Sequence, residues 1–188
     1  MNTNLALGIC SRAMALIGAD NVNSFDDGTN EAQISSALYE STLVSALTEH
    51  RWNFATVQAQ AVKLAQAPED RFAIQYELPN PILTIDLVSP DRYPYELFSD
   101  RRIMTDYDGD LWVEGVFRVD ESKLPGYFIE YLEYRLATKF AFPITADKGL
   151  AGSMQDLADR HQKRAKSADS KQRKGIGFKK FPLIQARG

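Results

Sequence analysis

Three aspartates at alternate positions, Asp106, Asp108 and Asp110, have the spacing of metal chemistry. Such oxygen-rich runs hold calcium when the loop also has a glycine at its sixth position and a glutamate at its twelfth. Those positions are Leu111 and Phe117, and the nearby glycine, Gly109, is fourth. The run therefore reads as a polar hairpin tip and not as a cation loop. The two histidines, His50 and His161, have no cysteine or second histidine at ligand spacing, which speaks against zinc. No G-x-S-x-G turn offers a serine nucleophile. No glycine-rich phosphate loop is present either, and Gly175-Ile176-Gly177 is too short to be one. Paired carboxylates for polysaccharide hydrolysis could be drawn from the 25 acids, but none has a reason to be tuned. The expectation is a protein without catalytic residues, cofactor or metal.

The aromatic set Tyr93, Tyr95, Phe98, Tyr107, Trp112 and Phe117, with Arg101 and Arg102, has the composition of a stacking surface for single-stranded nucleic acid. At alternating strand positions the same residues suit a small sheet's core and its partner interface, and that reading is preferred. Arg51 beside Trp52 could form a cation–π pair, but Trp52 needs no role beyond anchoring a helix end. Cys10 lies in an apolar helical stripe and is expected to be a buried thiol.

These residues must be positioned by elements that the periodicity marks. Leu5, Ala6, Ile9, Cys10, Ala13, Leu16 and Ile17 recur at helical spacing, and Gly18 stands where a left-handed cap belongs, so a helix is predicted over 4–17. Asn30 with Gln33 resembles a capping box ahead of a helix over 31–50. The period then changes. Val57, Ala59 and Ala61, then Phe72, Ile74, Tyr76 and Leu78, alternate with polar residues as strands do. Residues 82–88 form another apolar strand, and 102–106 and 111–119 flank Asp108-Gly109, a hairpin signal. Helices return over 124–142, with Pro125 in the first turn and Pro143 as the stop, and over 148–167. The fold class is thus α+β: about four helices interrupted by a small antiparallel β insert over about 56–120, forming one domain over 1–169 with an extended arm over 170–188.

A chain of 188 residues with 44% hydrophobic and 25% charged content suits a single core. No stretch has the form of a signal peptide or approaches the roughly 20 apolar residues of a membrane span, so folding in a reducing cytoplasm is expected. The net charge of −3 conceals a split. From Arg160 onward ten basic residues face one acid, Asp169, a local balance of +9 that leaves −12 for the rest. The arm also carries Phe178, Phe181, Leu183 and Ile184. Each is worth about 1.5–3 kcal/mol when buried, so an arm of charges and apolar anchors suits a folded acidic surface, whereas phosphate binding needs the charges alone.

Several short segments occur in a telling order: Ala13-Met14-Ala15-Leu16-Ile17-Gly18, Ala37-Leu38-Tyr39, His50-Arg51-Trp52-Asn53-Phe54-Ala55 and Tyr76-Glu77-Leu78-Pro79. Tyr131-Leu132-Glu133-Tyr134-Arg135-Leu136-Ala137 and Phe142-Pro143-Ile144 follow. In this order, across most of residues 5 to 165, the chain resembles the head-to-tail adaptors of short-tailed bacteriophages, the family called tail tubular protein A. Family members often have an aspartate after the Leu-Pro step, where this chain has Asn80.

The resemblance implies a virion structural protein. It would form a homo-oligomeric ring, typically of twelve copies, between the portal and the distal tail (nozzle) protein, with DNA passing through without specific binding and no membrane contact. It implies that the C-terminal arm reaches the portal, so Lys171, Arg173, Lys174, Phe178, Lys179, Lys180 and Phe181 are the expected docking residues. The β insert, with Tyr107, Asp108 and Asp110 at its tip, would face the tail. Two other readings stand beside it: a nucleic-acid-binding protein using the basic arm, and a tail-associated polysaccharide or peptidoglycan hydrolase.

Overall fold

A computed structural model describes residues 3–66, 68, 71–99 and 101–172. Helix α1 (Thr3–Leu16) buries Ala6, Ile9, Cys10 and Ala13 of the expected stripe together with Met14, whereas Leu5 is exposed. It closes through Gly18 at φ 73°, a left-handed conformation that glycine adopts without a Cβ penalty. Helix α2 (Asn30–Thr48) begins one residue before the predicted start. Its cap is Thr29, whose hydroxyl accepts from the Ala32 N–H at 3.2 Å, and Thr29 is itself held by Asp27 at 2.6 Å. The expected Asn30–Gln33 box does not form, since Asn30 is already helical and the Gln33 side chain donates instead to the Gly28 carbonyl.

Helix α3 (Gly126–Thr145) starts after Pro125, which serves as the N-cap, and so begins later than predicted. It also runs past Pro143 and ends at Ala146, φ 57°. A proline so near a helix end costs a single intrahelical bond, which the buried face of α3 outweighs. Helix α4 (Lys148–Ser170) is capped by Asp147, whose carboxylate accepts from Gly149 N and Leu150 N at 2.7 and 3.0 Å.

The four helices share one core built on Leu43, Leu47, Phe128, Leu132, Leu136 and Phe140. Trp52 is fully buried within it, edge-on to Phe128 at 5.0 Å, and its indole N–H donates to the Ala46 carbonyl at 2.9 Å. It anchors the chain where the helices give way to the sheet. Arg51 points away from that ring, to Asp86 at 2.7 Å and to Glu114. Burial pushes the Cys10 thiol up to about 12, so it is an inert core residue.

Six strands form one antiparallel sheet: β1 (Thr56–Lys63), β2 (Ile74–Glu77), β3 (Ile82–Ser89), β4 (Tyr95–Phe98), β5 (Arg102–Thr105) and β6 (Leu111–Phe117). Their order is β3-β6-β1-β2-β5-β4. The Asp108-Gly109 hairpin expected between β5 and β6 is therefore absent, because β1 and β2 lie between those strands. A turn dipeptide permits a hairpin but does not choose the partner. Here Val113 and Leu111 are buried on the face shared with Ala59 and Ala61, which pairs β6 with β1. The alternation of β1 begins late: Val57 is 45% exposed, opposite Gly115, which has no side chain to cover it.

The sheet curls around its own core of Ala61, Tyr76, Leu78, Ile82, Val88, Ile103, Leu111, Val113 and Phe117, separate from the helical one. Strand β3 meets α2. Arg118, leaving β6, ties the sheet to the helices through Glu40 at 2.8 Å and the buried Glu121 at 2.6 Å.

Candidate functional site

The root of the basic arm is built around a buried acid. Met154, Ala158, His161, Ala165 and Asp169 form the buried stripe of α4, so Asp169 occupies a position where an apolar residue would be expected. It is only 1% exposed. Its carboxylate accepts from the Asn53 backbone N–H at 3.0 and 3.1 Å, the Asn53 amide at 3.0 Å and the Tyr127 hydroxyl at 2.9 Å. The Asn53 amide also donates to the Asp169 carbonyl at 2.8 Å.

Three donors thus clamp the last turn of α4 to the turn after Trp52 and to the start of α3. Burial, and then the bond to Asp169 and its charge, pushes the Tyr127 phenol up, so it stays a donor. His50 stands 4.0 Å away. Burial and Lys166 hold His50 below the ordinary histidine range, with Asp169 pulling the other way. The lone acid of the basic segment is its tether.

About two turns earlier on α4 a second tie repeats the device. Glu49, the C-cap of α2, accepts from Tyr131 at 2.5 Å, from Gln162 of α4 at 2.6 Å and from Arg135. Beside the clamp a groove of about 330 Å3 is lined by Asn53, Phe54, Pro125, Tyr127 and Gln172. Lys171, the C-cap of α4, precedes Gln172 and is exposed. Arg160, Lys163 and Arg164 line the outer face of the same helix, so the basic character begins on ordered helix. Arg173, Lys174, Phe178, Lys179, Lys180 and Phe181 lie outside the described residues.

At the far end of the sheet, Tyr107, Asp108 and Asp110 lie in the connection from β5 to β6. The Tyr76 hydroxyl organises this loop. It accepts from the Gly109 N–H at 3.1 Å and lies 2.9 Å from the carbonyl oxygens of Tyr107 and Gly109, to which its single proton can be donated. Each aspartate has its own local partner: Asp106 accepts from Ala73 N at 3.0 Å, Asp108 from Lys63 at 2.6 Å and Asp110 from Gln60 at 3.0 Å. The three carboxylates thus face different neighbours and do not converge on a common centre. Replacing Tyr76 by phenylalanine should lower stability by about 1–2 kcal/mol, because Gly109 N–H loses its acceptor. Hydrogen exchange at Gly109 should speed up in step, and unchanged exchange there would remove this role of the Tyr76 hydroxyl.

The aromatic set divides in the structure. Phe117 belongs to the sheet core at 3% exposure, while Tyr95, Phe98 and Trp112 are exposed. Tyr93 and Tyr107 pack on each other with centroids 4.9 Å apart. The sequence reading missed Asp169, counting it only as a charge, although the spacing 158, 161, 165, 169 continues the apolar stripe of α4.

Among the described residues no group of three or more His, Cys, Asp or Glu is arranged to hold a metal ion, and no helix is long and apolar enough to cross a membrane. The chain matches no model of a known protein family, and no curated protein is significantly similar to it.

Proposed function

We propose that this chain is a virion head-to-tail adaptor, forming a homo-oligomeric ring of twelve copies between the portal and the distal tail protein. The observation that carries this reading is the order of elements: two helices, a β insert with its own core, two helices and a basic end. The ordered segments that resemble the adaptor family fall on those elements. The tether of Asp169 supports it as well, since a docking arm works best when its root is held rigidly. An acidic body of −12 suits a channel that passes DNA, because like charge keeps phosphates from adhering. Repeated around a ring, weak arm contacts sum to a lasting joint. Under this reading Lys171 and the basic and aromatic residues that follow it hold the portal, and Tyr107, Asp108 and Asp110 face the tail.

The test is assembly. Full-length protein mixed with its portal should enter a ring resolved by electron microscopy, and protein truncated after Gln172 should stay free. Normal portal binding by the truncated chain overturns the docking role. The +9 charge of the segment from Arg160 onward favours one second reading, nucleic-acid binding. That reading predicts a strong shift of DNA in gels, with steep salt dependence, lost on the same truncation.

A further inference from the structure

A groove of about 230 Å3 between α2 and α3 is lined by Leu38, Ser41, Thr42, Ser45, Arg135 and Lys139. Its chemistry differs from that of the acidic body around it. Several cations of the body are matched with carboxylates: Arg12 with Glu133, Arg51 with Asp86, Lys63 with Asp108, Arg118 with Glu40. Lys139 has no acid within ion-pair distance among the described residues. It stands four residues after Arg135 on one face of α3, a like-charge pair that destabilises a helix unless something lies between the charges.

Arg135 spends one terminal nitrogen on Glu49, and its Nε–H is shielded from solvent with no acceptor. A buried donor left unmatched costs about 1–3 kcal/mol. Opposite, α2 presents the hydroxyls of Thr42 and Ser45, beside that of Ser41, whose proton goes to the Leu38 carbonyl at 3.1 Å, where stronger helix formers would be expected on propensity alone.

We propose that this groove is an oxyanion site that takes a phosphate group. The reasoning follows from donor geometry. A planar carboxylate is recognised best by the paired N–H groups of an arginine fork, and one terminal nitrogen of the Arg135 fork is already spent on Glu49. The remaining donors are single points arriving from two helices, which suits a tetrahedral anion with oxygens in several directions. The free phosphate ion and the phosphate of a nucleic-acid backbone share this chemistry.

The experiment uses the full chain, titrated with inorganic phosphate by calorimetry and by backbone amide NMR shifts. Saturable binding should perturb Ser41–Ser45 and Arg135–Lys139. Lys139→Met, at an exposed position, should weaken it about tenfold, as loss of one charge-assisted hydrogen bond does. Ser45→Ala should weaken it in the same direction. The paired arm variant Lys179→Gln/Lys180→Gln should leave it unchanged.

A short DNA duplex that competes for the same shifts identifies backbone phosphate as the source, and one that does not identifies the free ion. Three results overturn the site: no saturable phosphate binding, binding lost with the arm variant but not with Lys139→Met, or acetate binding there as tightly as phosphate. The last would make it a carboxylate-docking surface for another protein.

Discussion

Replacing Asp169 by alanine should lower the stability of the chain by about 3 kcal/mol, because it leaves buried donors on Asn53 and Tyr127 without an acceptor. For a protein of this size that corresponds to a fall of about 10 °C in Tm. The damage should be graded along the molecule. Amide exchange should accelerate first at residues 166–172, where the last turn of α4 is released, while the core around Trp52, Phe128 and Leu132 keeps its protection.

An asparagine at the same position should not rescue the site. Its amide would face the Asn53 N–H donor to donor, whereas a carboxylate accepts from both sides. Thermal melts of Asp169→Ala and Asp169→Asn within about 2 °C of the unsubstituted protein would show that the clamp contributes little. If the arm is the docking element, both variants should also weaken portal capture before any arm residue is touched, since they free its root.

The second large effect concerns Gly115, on β6 between β3 and β1. A Cβ there would lie 2.1 Å from the Thr84 carbonyl oxygen and 3.0 Å from the Ile82 Cδ1. The irregular register of β3 between Ile82 and Thr84 presses that carbonyl over the glycine. Valine at this position should cost about 3 kcal/mol by forcing backbone apart, and alanine less in the same direction. Local propensity predicts the opposite sign, because valine is a better strand former than glycine. Urea unfolding decides between the two: a midpoint for Gly115→Val at or above that of the parent would mean that β3 yields easily. Trp112, exposed on the neighbouring part of β6, offers a fluorescence signal for the loss of β3 pairing.

Both effects come from contacts far apart in the chain, and this separates what was legible from what was not. Helix α1 could be read because each buried residue, from Ala6 to Met14, is announced by neighbours three and four positions away. The same holds for the stripe of α3 and in part for the alternation from Phe72 to Leu78, where Phe72, Tyr76 and Leu78 are buried as expected but Gln75 is buried too and Ile74 only half-buried. Cap identity slipped by one residue, from Asn30 to Thr29, since both side chains can cap and only the path of the preceding loop selects between them. Strand β4 went unmarked because Tyr95, Leu97 and Phe98 are apolar yet exposed, so its alternation has no polar face to contrast.

The amino-acid sequence by itself determined the division into two helical halves and a β insert, and the split of charge between body and end. Those properties are local: they follow from which residue types recur at which spacing. The tertiary structure decided the rest. It separated β5 from β6 by two strands and left Asp108-Gly109 as a loop held by the hydroxyl of Tyr76. It brought Ser41 and Ser45 across from Arg135 and Lys139. It also buried Asp169 against Asn53, 116 positions earlier in the chain. Pairings of that range depend on which distant surfaces exclude water together, and no window of neighbouring residues encodes them.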